Sequence, residues 1–244
     1  MRSIHAGMAM CAVVILAGCG AAVEKSTSPT SSPGTATSSA PSSPTTNTTP
    51  PPPTLVPAAA GPDLLLKRSE LSEIISATDL AETEAYTGPQ KSNVKIEPWP
   101  CRSRALVGET GVLVNKPTLV GNANRGANGQ AVTQMVAIFE KPGDITNQGG
   151  AMWLIEDEWR DCPDGDIFFI ELDPANNQRW VPYPITTGPD RIGTTFKRDG
   201  LPRNCHHVVA HRGNVMAEVL VCGDGDNTAP ANTVADRILA KVPT

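Results

Sequence analysis

Apolar and polar side chains sort into two sets on either side of Gly213-Asn214, in the stretch "CHHVVAHRGNVMAEVLVC" at residues 205 to 222. Glycine at the first of two turn positions suits a type II′ hairpin between β-branched-rich strands. That turn sets the register: Arg212 faces Val215 and, counting outward, Cys205 faces Cys222. The pair beside the turn is hydrogen-bonded and pairs alternate from there. Cys205 and Cys222 are therefore a non-hydrogen-bonded pair, the close kind whose side chains can bridge. The pleat divides the hairpin into two faces. Val208, Ala210, Val215, Ala217, Val219 and Val221 share one with His206 and read as core. His207, Val209, His211, Met216, Glu218 and Leu220 share the other, which mixes apolar and ionisable groups.

Elsewhere a helical stripe of Leu71, Ile74 and Ile75 marks "SELSEIISA". In "NQGGAMWLIEDEWRDC", Ala151, Leu154, Ile155 and Trp159 recur at helical spacing and leave Glu156, Asp157 and Arg160 for water. A last helix near 230–241 carries Pro230 in its first turn and turns Val234, Ile238 and Leu239 inward. Strands are expected at 111–119, 130–140, 166–172, 178–186 and 191–198, besides the hairpin. Strands bunched after the first helix, with few long crossovers, predict an α+β fold. Its twisted, mostly antiparallel sheet would carry helices packed on one face and two disulfides.

The N-terminus changes where this domain is placed. Arg2 precedes an apolar run from Met8 to Ala17, too short for the about 20 residues of a spanning helix but suited to a signal peptide. Leu16-Ala17-Gly18-Cys19 resembles a bacterial lipobox, in which Cys19 takes the lipid and becomes the first mature residue. Residues 1–18 thus read as a lipoprotein signal peptide, and 19–61 as a lipidated cysteine with a disordered stalk. The stalk is nearly all Ser, Thr, Pro and Ala and cannot bury enough apolar area to offset its ordering entropy. Such a stalk carries O-linked sugar or serves as a plain spacer. Residues 62–244 form the domain, and every aromatic residue of the chain lies within it, between Tyr86 and Phe196.

Outside the cytoplasm an even set of cysteines favours disulfides over metal thiolates. With Cys205 joined to Cys222, the remaining bridge is Cys101–Cys162. Oxidised cysteines cannot ligate zinc, and on a strand His207 and His211 stand roughly 13 Å apart. No metal and no cofactor are expected. A net charge of −5 argues against a nucleic-acid partner and disfavours electrostatic docking on anionic lipid.

Motifs for catalysis fail one by one. In "GNANRGANG" at 121–129, Ala127 and Asn128 stand where a P-loop needs Lys and Ser or Thr, so the stretch reads as a loop. Ser92-Asn93-Val94-Lys95 fits S-x-x-K, but S-D-N and K-T-G are missing. Asp224, Asp226 and Asn227 lack the glycine and glutamate of a calcium loop.

Several features together resemble the extracellular sensor domain of the mycobacterial receptor kinase PknH, a family that also occurs alone on lipoproteins. They are Leu64-Leu65-Leu66 before the Glu70 helix, Trp159-x-x-Cys162, Cys205-His206-His207 with Asn214 and Cys222, and the C-terminal Lys241-Val242-Pro243. Lys67 departs from the pattern, standing where a capping serine is usual. The resemblance implies an α+β domain with two disulfides and a large, partly polar cleft, and it brings no catalytic residues. The expected function is a non-catalytic, ligand-binding envelope lipoprotein, anchored to the membrane by lipid and taking a small-molecule or cell-wall ligand. His207, His211 and Glu218 are the candidate ligand contacts on the cleft floor. Replacing His207 or Glu218 should then weaken binding and leave melting little changed. The alternatives are an envelope hydrolase using that same face, or a glycosylated adhesive surface protein.

Overall fold

The computed structural model describes residues 54–89, 94–170 and 174–243; Cys19, the expected signal peptide and most of the expected stalk lie outside them. The hairpin is its centre. Strands β9 (Arg203–Arg212) and β10 (Val215–Asp224) pair with Arg212 opposite Val215 and Cys205 opposite Cys222. Gly213 takes φ +56°, as the first position of the type II′ turn requires. The Cys205–Cys222 Cα atoms are 4.0 Å apart, and Cys101–Cys162 is the second bridge with Cα atoms 4.6 Å apart.

Around the hairpin runs an antiparallel sheet. On one flank β10 pairs with β4 (Ala131–Ile138), then β3 (Thr118–Arg125) and β1 (Ala81–Tyr86) follow. On the other flank β9 pairs with β8 (Arg191–Arg198), followed by β6 (Gln178–Pro182), β5 (Ile167–Ile170) and β2 (Lys95–Glu97). The short β7 (Thr186–Thr187) pairs with β8. Among the described residues no helix is long and apolar enough to cross a membrane.

The α+β class, the antiparallel sheet and both bridges are as expected, but the helices occupy both faces of the sheet. Val208, Ala210, Ala217, Val219 and Val221 are covered by α2 (Arg68–Ile74) and α6 (Thr228–Leu239) through Leu71, Val234 and Ile238. The mixed face is covered too, by α5 (Ala151–Asp161), whose Ala151, Ile155 and Trp159 pack against Met135, Val209 and Met216. The reason is the apolar content of that face. Val209, Met216 and Leu220, joined by Met135 and Ala137 of β4, form too large an apolar area to leave in water, at about 1.5–3 kcal/mol per large side chain.

Three further expectations are corrected. Of the run at 111–119 only Thr118 and Leu119 are strand, as the start of β3; the rest is a one-turn 3-10 segment, Thr110–Leu113, and a loop with Asn115 and Lys116 at positive φ. Val112 covers α5 instead of joining a ladder, an ambiguity that periodicity cannot resolve in a short apolar run. The stretch from 121, expected as a loop, is mostly strand β3. Its Gly121 makes room for Tyr86, whose ring lies where a Cβ would sit. Finally, the folded domain starts before residue 62. The Asn214 side chain in the hairpin turn binds the Val56 amide and carbonyl, each at 2.9 Å, and draws Val56 into the core. At the first of the larger helices, Lys67 cannot accept a hydrogen bond, and Glu70 caps alone by accepting from the Lys67 amide at 2.7 Å.

Candidate functional site

The mixed face of the hairpin divides into a covered half and an open half. In the covered half, His207 is fully buried and Glu218 is 4% exposed, and they meet with His207 Nε2 3.0 Å from Glu218 Oε1. Their backbone positions are diagonal neighbours across the β9–β10 ladder, which accounts for the reach. His207 Nδ1 lies 2.9 Å from the Arg104 carbonyl, which can only accept, so Nδ1 carries a proton. The Nε2–Oε1 contact then holds a second proton between the two groups. Glu218 Oε2 accepts from the Gly108 amide at 3.0 Å. The Trp159 ring closes over the imidazole at 4.9 Å, and its Nε1 donates to the Ser103 carbonyl at 3.1 Å. Beside this pair, Tyr86 is pushed well above the usual phenol range, by burial first and then by the Glu218 charge.

The pair therefore grips both ends of one segment, the Arg104 carbonyl and the Gly108 amide. Two further ties hold it. The Arg104 guanidinium donates to Thr194 Oγ1 at 2.8 and 3.0 Å and to the Tyr183 carbonyl, and Cys101 is bonded to Cys162 at the end of α5. Helix α3 (Arg102–Ala105) lies between these ties.

The open half begins where that segment ends. A cleft of about 530 Å³ is bounded by Ala105, Leu106 and Val107 on one wall and by Leu220 and the Cys205–Cys222 bridge on the floor. Phe169 lines it, backed by Trp180 at 5.6 Å and Phe196 at 6.5 Å between ring centres. Its rim carries Arg125, Arg198 and Arg203, with Glu84 on the β1 side.

Of the three residues expected on the cleft floor, the structure joins His207 to Glu218 but sets both beneath α5, behind the cleft wall. His211 stands apart and half-buried, its amide donating to the Asp190 carbonyl at 2.9 Å. Only the Leu220 end of the mixed face reaches the cleft. The arginines were missed because Arg125 is far in sequence from Arg198 and Arg203. The signal is topological: Arg125 ends β3, Arg198 ends β8 and Arg203 starts β9, and antiparallel pairing brings all three positions to one end of the sheet.

On the opposite face, a hollow of about 570 Å³ runs between β8, β9 and the start of α6. Arg191 in its lining is already engaged, pairing with Asp190 at 3.3 Å and with Asp236 at 2.9 Å. His206 lines it, with Nδ1 2.8 Å from Thr195 Oγ1 and 3.4 Å from Thr228 Oγ1. Burial, then repulsion from His207, pushes its pKa down to about 4 against the attraction of Asp226. His211 is lowered as well, by burial, against the attraction of Asp190. Both imidazoles thus bind protons more weakly folded than unfolded. Below pH about 6.5 the unfolded chain takes up protons that the folded one refuses, so stability falls from there down to pH about 4. Melting temperature measured across this range should drop with acid, and His206→Gln should flatten part of the slope. An unchanged slope would show that His206 is not held neutral.

Comparison with known proteins places this geometry. No curated protein matches the chain. The crystal structure of the extracellular domain of PknH from Mycobacterium tuberculosis superposes with a TM-score of 0.66 at 20% identity, covering 78% of this chain and 97% of that one. A structure of an uncharacterized protein from Mycobacterium smegmatis covers 71% of this chain and 95% of its own at 14% identity, with a TM-score of 0.33. The model of the PknH-like extracellular domain matches residues 56–241, which takes in both bridges, the His207–Glu218 pair and the cleft, and the chain belongs to that family.

Proposed function

We propose that this chain is a non-catalytic, ligand-binding protein of the cell envelope, held to the membrane by lipid on Cys19. Membership of an extracellular-domain family fits an extracytoplasmic domain. The observation that carries the binding reading is the cleft of about 530 Å³, within the range of about 300–1,000 Å³ common for small-molecule sites. Its apolar floor supplies area and its rim supplies orienting groups. The hydrolase alternative loses its support from burial: His207 and Glu218 are sealed under Trp159 and the Arg104–Gly108 segment, where a substrate cannot reach them.

Two experiments test the two parts. The Cys19→Ala protein should appear in the medium or stay as uncleaved precursor, because acyl chains hold by about 0.8 kcal/mol per buried methylene. Native mass spectrometry of the protein from its own envelope should show a bound small molecule. A Cys19→Ala protein that remains membrane-bound in mature form would defeat the anchor, and a protein of equal mass under native and denaturing conditions would defeat the binding reading.

A further inference from the structure

The cleft rim is strongly basic in a chain that is acidic. Among the described residues its lining holds the guanidinium groups of Arg125, Arg198 and Arg203 and one carboxylate, that of Glu84, whereas the whole chain carries −5. Among the described residues, none of the three arginines is in an ion pair. Arg203 donates to the Gly129 carbonyl in the β3–β4 turn, which fixes its side chain across the mouth. Leu106, Phe169 and Leu220 line the same cleft and are half-buried and apolar.

Guanidinium groups at this density repel one another. Burial, first, and the charge of Arg198, with a smaller contribution from Arg125, pull the Arg203 guanidinium below its usual range, against the attraction of Asp224. Such an arrangement gains most from a bound anion, which accepts charge-assisted and often bidentate hydrogen bonds from guanidinium groups. The neighbouring apolar floor gains nothing from a small inorganic ion but does from an apolar body attached to it.

We infer that the cleft binds an acidic amphiphile, with a phosphate, sulfate or carboxylate head at Arg125, Arg198 and Arg203 and an apolar body over Leu106, Phe169 and Leu220. The inference rests on the ligand-binding reading above and names the class of ligand.

The test uses the purified Cys19→Ala protein, so that no attached lipid competes, and titration calorimetry with decyl phosphate, decyl glucoside and inorganic phosphate. Decyl phosphate should bind at least about tenfold more tightly than either control. Arg198→Gln should weaken decyl phosphate about tenfold and leave decyl glucoside unchanged. Phe169→Ser should weaken both amphiphiles. Vesicles of phosphatidylcholine doped with lysophosphatidic acid then separate the sources. Transfer of the lysolipid into a soluble complex assigns a membrane lipid, and binding of decyl phosphate alone assigns a free soluble acid. Equal binding of phosphate and glucoside amphiphiles would overturn the anionic assignment while sparing the binding reading. No binding of any probe, together with equal native and denatured masses of the protein from its envelope, would overturn both.

Discussion

A chain with all four of Cys101, Cys162, Cys205 and Cys222 replaced by serine should fail to fold. Cys205–Cys222 closes a separation of 17 residues and Cys101–Cys162 one of 61. Loop-closure entropy assigns these about 3 and about 4 kcal/mol respectively. Their sum is comparable to the whole stability of a typical domain, about 5–15 kcal/mol. The replacements also leave hydroxyls in a cluster built from Ile96, Ile167, Trp180 and Phe196. The two bridges should differ in what they release. Cys205 and Cys222 are already held opposite each other by the longest ladder of the sheet, so their loss mainly raises the entropy of the unfolded chain. Cys101–Cys162 joins α5 to the Arg104–Gly108 wall, so the Cys101→Ser/Cys162→Ser protein should loosen the cleft as well as melt earlier. Circular dichroism of the three variants checks this. A fourfold serine variant that melts cooperatively near the native temperature would show that the bridges are incidental.

The next largest effect is expected at the buried pair. His207→Ala leaves Glu218 buried without its partner, and breaking such a pair from one side costs about 3–5 kcal/mol. In a domain of this size that is a fall of roughly 10 °C or more in melting temperature. Replacing both residues, as His207→Leu/Glu218→Leu, should recover much of this, because two apolar side chains need no desolvated partner. The double variant still frees the Arg104 carbonyl and the Gly108 amide. It should therefore fold while its Gly108 amide exchanges faster and its ligand affinity drops, which a purely structural pair would not produce. If His207→Ala melts like the native protein, the pair does not hold the wall.

This outcome inverts what the hairpin pattern alone suggests, and the reason shows where the sequence stops being informative. A Gly-Asn turn between two β-branched runs dictates register through local geometry, so the Cys205–Cys222 bridge and the membership of each hairpin face were legible without any tertiary information. The same holds for α5 and α6, whose apolar stripes at helical spacing are long enough to exclude a strand. The short apolar run around Val112 and the glycine-rich start of β3 were not legible, because packing against Ile155 and the Tyr86 ring decided them.

For the candidate site, composition placed histidines and a glutamate on one face but could not say what lies above that face. Burial of His207 and Glu218 depends on α5 and on Arg104, which is 103 residues from His207 in the chain. The arginine rim depends on which strand ends the sheet topology brings together. Local residue pattern by itself determined the hairpin, its bridge, the helices and the class of the fold. Which polar groups are sealed and which face a ligand was decided only by tertiary contacts, because solvent access is set by residues distant in sequence.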